Sequence, residues 1–182
     1  KEAARCALRW HAMGLGISPV AVNLSTVQFQ SVGFVEAVAQ VLKDEGGRVA
    51  GAGLLELELT ERMLMDDLGE VKHRLERLKA MGLGIAVDDF GTGYSSLGHL
   101  KELPIDKIKI DRSFVHDLPG NRDSAAITRA IVQLGLSLGM TVTAEGVETA
   151  AQRDFLAGLG CHQMQGLLFG APREGSPFAP AA

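Results

Sequence analysis

The chain has 182 residues, 46% of them hydrophobic and 22% charged, with a formal net charge of −4. That is ordinary usage for one globular domain with a sizeable core, and a sequence-independent binder of duplex nucleic acid would be basic, so no duplex binding is expected. Cys6 and Cys161 fit neither zinc spacing nor a disulfide framework and read as reduced thiols of a cytoplasmic protein, and no apolar run approaches the ~18 residues that span a bilayer, so this segment is expected to make no membrane contact.

The chain opens on Lys1 inside a helix-like pattern of Ala3, Ala4, Cys6, Ala7, Leu8 and Trp10, which reads as a fragment of a longer protein, itself free to be membrane-anchored. The first β-like run is Val20-Ala21-Val22-Asn23-Leu24, after which Phe34, Val35, Val38, Val41 and Leu42 share a helical face. A small-residue loop, Gly46 to Gly53, leads to the second run, Leu54 to Leu59. Asp66-Asp67 then starts a helix carrying Val71, Leu75 and Leu78, and Gly82 stops it. The third run is Gly84 to Asp88 and the fourth Ile105 to Ile110. Asn121-Arg122-Asp123 starts a helix with Ile127, Ile131, Leu134 and Leu138 on one face, ending at Gly139. Thr141 to Ala144 is the fifth run, and Cys161 to Gln165, with little β-branching, is the weakest.

Alternation of strand and helix predicts a parallel sheet covered by helices, either an open doubly wound sheet or a closed barrel. Each run closes on a polar residue: Asn23, then Glu58, then Asp88 with Asp89, then Lys109 and Asp111, then Glu145, then Gln165. In a parallel barrel these ends meet at one face, where active sites sit. Crowded carboxylates repel, and a divalent cation removes that cost. The donors on offer are oxygens only, which suits Mg²⁺ or Mn²⁺ rather than zinc, and about four carboxylates with an amide suit two ions clamping a phosphoryl displacement. Asp88 is a natural bridge, and Lys109 is placed to steady a nucleophilic water or charge on phosphate. Singly, each acid is more often a helix cap or a surface charge, and Lys109 with Asp111 reads equally as an ion pair. Those separate readings do not explain why all of them fall on one edge.

The runs Asn23-Leu24-Ser25, Glu58-Leu59-Thr60-Glu61, Asp88 to Leu97 (Asp-Asp-Phe-Gly-Thr-Gly-Tyr-Ser-Ser-Leu), Lys109-Ile110-Asp111, Ala144-Glu145-Gly146-Val147-Glu148 and Gln165-Gly166 resemble the EAL domain, in its order and close to its spacing. The resemblance implies a modified (β/α)8 barrel of the TIM type that hydrolyses cyclic di-GMP to linear pGpG with two Mg²⁺ or Mn²⁺ ions, in bacterial second-messenger signalling. It implies Asn23, Glu58 and Asp88 as ligands of one metal, and Asp88, Asp89 and Glu145 as ligands of the other. It further implies Lys109 beside the nucleophilic water with Glu145 in the catalytic group, Gln165 and Asp111 near substrate, and Glu61 as anchor of the loop after Asp89. In the family that loop links metal binding to dimerisation, so a homodimer is implied.

Two departures qualify the match. The signature Glu-Ala-Leu is absent and is expected on a strand upstream of Lys1, near an arginine that meets substrate phosphate. Residues 1–182 therefore read as an EAL domain incomplete at its N-terminus, with about six of eight strands and impaired hydrolysis. Leu167 stands where an aromatic commonly follows Gln-Gly, which touches only local packing. Three alternatives stay open: a non-catalytic cyclic-di-GMP receptor, a dimerisation module with the same fold, and a metal-dependent barrel acting on another phosphate ester.

Overall fold

The computed structural model describes residues 1–15, 19–45, 53–65, 67–93 and 97–171. Most of the predicted loop from Gly46 to Gly53, together with Asp66 and Tyr94-Ser95-Ser96, lies outside the described residues. The elements run α1 (Glu2–Ala12), β1 (Val20–Asn23), α2 (Thr26–Gln30), α3 (Phe34–Asp44), β2 (Leu55–Thr60), a 3₁₀ turn (Glu61–Met65) and α4 (Leu68–Ala80). They continue with β3 (Gly84–Phe90), α5 (Leu97–Glu102), β4 (Lys107–Ile110), α6 (Arg112–His116), α7 (Arg122–Ser137), β5 (Thr141–Ala144), α8 (Ala150–Gly158) and β6 (Gln163–Met164).

The six strands of the described residues are all parallel and lie in the order β1-β2-β3-β4-β5-β6. A doubly wound sheet reverses its strand order at a switch point, whereas a barrel wall runs in sequence. The sequential order decides between the two expectations in favour of the barrel type, as a wall of six strands among the described residues.

Side chains alternate along each strand. Leu55, Leu57, Leu59, Ile85, Val87, Ile108, Ile110 and Val142 belong to the apolar core beneath the helices. Glu56, Glu58, Lys107 and Lys109 take the other parity and face the inside of the wall, and Glu56, Glu58 and Lys109 are each under 9% exposed. Such buried charge needs partners, which the inner face supplies.

The helix starts follow the side chains that begin them. Asp67 accepts from the amides of Gly69 and Glu70 at the head of α4, and Asn121 from those of Asp123 and Ser124 at the head of α7. Val71, Leu75 and Leu78 are buried as their spacing predicts. On α7 the buried face is Thr128, Ile131, Val132 and Gly135, while Ile127 is 40% exposed. The predicted face is thus rotated toward small residues, because α7 sits close on β4 and β5. A Cβ at Gly135 would fall 2.4 Å from Val142 Cγ2. Gly135→Ala is accordingly expected to destabilise the fold by about 1–3 kcal/mol, although alanine is the better helix former by about 1 kcal/mol. Denaturant titration checks this, with Gly135→Ala/Val142→Ala recovering part of the loss. No helix of the described residues is long and apolar enough to cross a membrane.

Candidate active site

Four successive strands deliver one charge each to the C-terminal edge of the inner face. The ammonium of Lys109, from β4, lies 2.8 Å from Glu58 Oε1 of β2, 3.1 Å from Asp88 Oδ1 of β3 and 2.6 Å from Glu145 Oε1, just past β5. The Lys109 side chain is 7% exposed, so these contacts are made largely out of water. Burial alone would lower the pKa of Lys109, but the hydrogen bonds and charges of Glu145 and Glu58 outweigh it and hold the ammonium above its ordinary range. Glu145 is shifted upward, first by burial, with Asp88 and Glu58 adding to the rise and Lys109 opposing it.

β3 supplies two consecutive acids because its register slips. Ala86 pairs with Lys107 and Val87 with Ile108, but Phe90 pairs with Ile110, so Asp88 and Asp89 together stand opposite Lys109. This bulge breaks the alternation that would send neighbouring side chains to opposite faces. Asp89 takes φ 53°, a left-handed conformation that a short polar side chain tolerates, and its amide donates to Asp88 Oδ1 at 3.0 Å. Burial and the charges of Asp88 and Asp111 push the Asp89 carboxyl up. β3 therefore extends two residues beyond the run ending at Asp88.

The described start of the loop after Asp89, Gly91 to Gly93, is fastened by Asp89 and Glu61. Thr92 Oγ1 donates to the Asp89 carbonyl at 2.8 Å. Glu61, 2% exposed, accepts from the amides of Gly91 and Gly93 through Oε2, at 2.9 and 3.2 Å. A cavity of about 440 Å³ opens beside this fastening, lined by Thr60, Glu61, Arg62, Met65, Asp89, Thr92 and Gly93. Of the predicted mouth residues, Asp89 lines it.

The remaining predicted residues are placed as follows. Asn23 ends β1 in register with Glu58 and is exposed. Ser25 caps α2 in a capping box with Gln28. Asp111 caps α6 through the Ser113 amide at 3.0 Å and meets the Ser113 hydroxyl as well. Burial works against its charge, but those bonds and the neighbouring Arg112 hold its carboxyl below the usual range. Gln165 follows the two-residue β6, exposed, with its amide on Ala144 O at 2.8 Å and its carbonyl taking the Val147 amide at 3.0 Å. Gly166 is needed there because a Cβ would fall 2.2 Å from Val147 O. The sequence reading passed over Glu56 and Lys107, which pair at 2.8 Å on the same inner face. Their signal is the period-2 repeat of charge, Glu56-x-Glu58 and Lys107-x-Lys109, inside otherwise apolar strands.

Among the described residues, no three acidic, His or Cys side chains are disposed to hold a metal outright. The Lys109 ammonium stands between the carboxylates instead. Three carboxylates that already share one cation are nonetheless a hard-oxygen donor set of the kind Mg²⁺ and Mn²⁺ take, so the residues fit such an ion.

Comparison with known proteins gives the same picture across nearly the whole chain. The EAL domain family profile matches residues 1–172. The chain is 46% identical over 171 residues to the bifunctional diguanylate cyclase/cyclic di-GMP phosphodiesterase MucR of Pseudomonas aeruginosa, covering 94% of this chain and 24% of that protein. It is 41% identical over 153 residues to the cyclic di-GMP phosphodiesterase NbdA of the same organism, covering 84% and 19%. The chain therefore spans about a quarter or less of these relatives. Among solved structures, the MucR phosphodiesterase in complex with c-di-GMP superposes with a TM-score of 0.88 at 46% identity, over 94% of this chain and 68% of that one. The manganese and c-di-GMP complex of Klebsiella pneumoniae BlrP1 gives 0.75 at 30% identity, over 92% and 42%.

Proposed function

The chain belongs to the EAL domain family, and from that premise we propose that it hydrolyses cyclic di-GMP to linear pGpG in bacterial second-messenger signalling. The observation that carries the reading is the convergence of Glu58, Asp88 and Glu145 on Lys109, from four successive strands. Similarity to MucR and NbdA, which are named for this activity, supports the substrate, and the manganese complex of BlrP1 supports a divalent cation.

In the proposed reaction water adds to one phosphorus, the P–O3′ bond breaks, and the 3′ oxygen leaves with a proton. Asn23, Glu58, Asp88, Asp89 and Glu145 would hold two divalent cations, which would supply activation of water and neutralisation of phosphate charge. Lys109, fixed by carboxylates and kept charged, orients the attacking water and offsets charge on the phosphoryl oxygens. Glu145 belongs to the same group through its 2.6 Å contact with Lys109. Glu61 holds the loop that presents Asp89. Gln165 and Asp111 are the residues assigned to substrate in this reading.

Chromatography of cyclic di-GMP incubated with the protein in Mn²⁺ or Mg²⁺ tests the reading. Formation of pGpG that stops on chelation and in Asp88→Asn is the expected result. Tight binding without product would instead make the domain a receptor. The proposal includes a homodimer through the loop after Asp89 and the start of α7, where Ile127 is exposed. Light scattering is expected to give twice the monomer mass with metal and nucleotide present.

A further inference from the structure

One level below the active cluster, the inner face carries a second buried ion pair. Lys107 Nζ lies 2.8 Å from Glu56 Oε1, with side chains 12% and 7% exposed. Both pairs, Glu56 with Lys107 and Glu58 with Lys109, reach from β2 to β4 over the intervening strand β3. They can do so because β3 presents Gly84 and Ala86 on that face at these levels. A Cβ at Gly84 would lie 3.5 Å from both Cβ and Cγ of Glu56, so the Glu56 side chain runs over a position with no side chain of its own.

The register makes this pairing informative. Glu58 is the Cα partner of Ala86, and Ala86 is the Cα partner of Lys107. Lys107 is therefore level with Glu58, and its ammonium reaches back one level to Glu56, by the same stagger that takes Lys109 back to Glu58. A buried ammonium requires a counter-charge, and without Glu56 the carboxylate at its own level is Glu58. We propose that Glu56 is a positioning residue: it holds the Lys107 ammonium away from Glu58 and so leaves Glu58 free for Lys109 and for a divalent cation. The inference rests on the reading of Glu58 as a metal ligand. A second positive charge on Glu58 would compete directly with the cation, whereas a Lys107 held by Glu56 forms a neutral pair beneath the site.

Calorimetric titration of Mn²⁺ into metal-free wild type, Glu56→Gln, Lys107→Met and the double variant tests this, with melting temperature recorded for each. Glu56→Gln is expected to weaken Mn²⁺ binding about 10-fold, the scale of a lost outer-shell partner. The double variant, which removes the competing ammonium, is expected to bind within about twofold of wild type even where its melting temperature stays low. A purely structural role would lower melting temperature in both variants without separating their affinities. Wild-type affinity in Glu56→Gln, or a double variant as weak as Glu56→Gln, overturns the proposal. No Mn²⁺ uptake by wild type would overturn the metal-centre reading itself.

Discussion

Lys109→Met is expected to lower turnover by about 100- to 1,000-fold, the cost of losing one preorganised charge at a reacting centre. The same change should destabilise the metal-free protein by about 3 kcal/mol, because Glu58, Asp88 and Glu145 are left facing one another with no counter-ion. The pH dependence has a definite sign. The pKa of Lys109 is raised above the ordinary 10.5 of a lysine, so its contribution is complete below that value and is lost only as pH rises through the folded-state value. The wild-type advantage therefore persists throughout the neutral range. In the variant, protonation relieves the repulsion, beginning with Glu145, which is already shifted upward. The stability deficit should shrink as pH falls and grow as it rises. Mn²⁺ replaces the missing positive charge, so metal should recover stability without recovering turnover. Melting curves with and without Mn²⁺, set beside product formation, separate the two. Recovery of both by metal alone would show that Lys109 serves only as a counter-ion.

The second large effect is expected at Glu61. Its carboxylate accepts two backbone amides, from Gly91 and Gly93, while 2% exposed. Hydrogen bonds to an ionised acceptor are roughly twice as strong as neutral ones, and a buried amide left unpaired costs about 1–3 kcal/mol. Glu61→Ala should release the loop that fixes Asp89 in its left-handed conformation, lowering turnover about 10- to 100-fold. Glu61→Gln keeps one acceptor and should fall between. Hydrogen exchange at Gly91 and Gly93 should quicken in the same order as turnover declines. Lost turnover with unchanged exchange would place the role of Glu61 elsewhere than the loop.

The convergence of Glu58, Asp88, Lys109 and Glu145 was legible because each closes an apolar run, and parallel strands bring such closures to one edge. What stayed hidden depends on relations between strands. The slip that sets Asp88 and Asp89 together opposite Lys109 is a property of β3 against β4. β4 begins at Lys107 rather than Ile105 because the Asp106 side chain turns to Lys79 and to the Ile85 amide at 2.8 Å. β6 is confined to Gln163–Met164, and its neighbours Cys161 and His162 are tied to β5 individually, through the Cys161 thiol and the His162 ring. The Glu56–Lys107 pair needs the small residues of the strand between, and the buried face of α7 needs the close approach of Gly135 to Val142. A single sequence shows each residue but not its cross-strand level.

The proposed metal centre lies where Lys109 bridges three carboxylates. Anomalous scattering from crystals grown with Mn²⁺ tests it most directly. Anomalous density is expected among Glu58, Asp88 and Glu145, with Lys109 no longer bonded to all three. Anomalous density elsewhere, or none while Lys109 still bridges the three carboxylates, would contradict it.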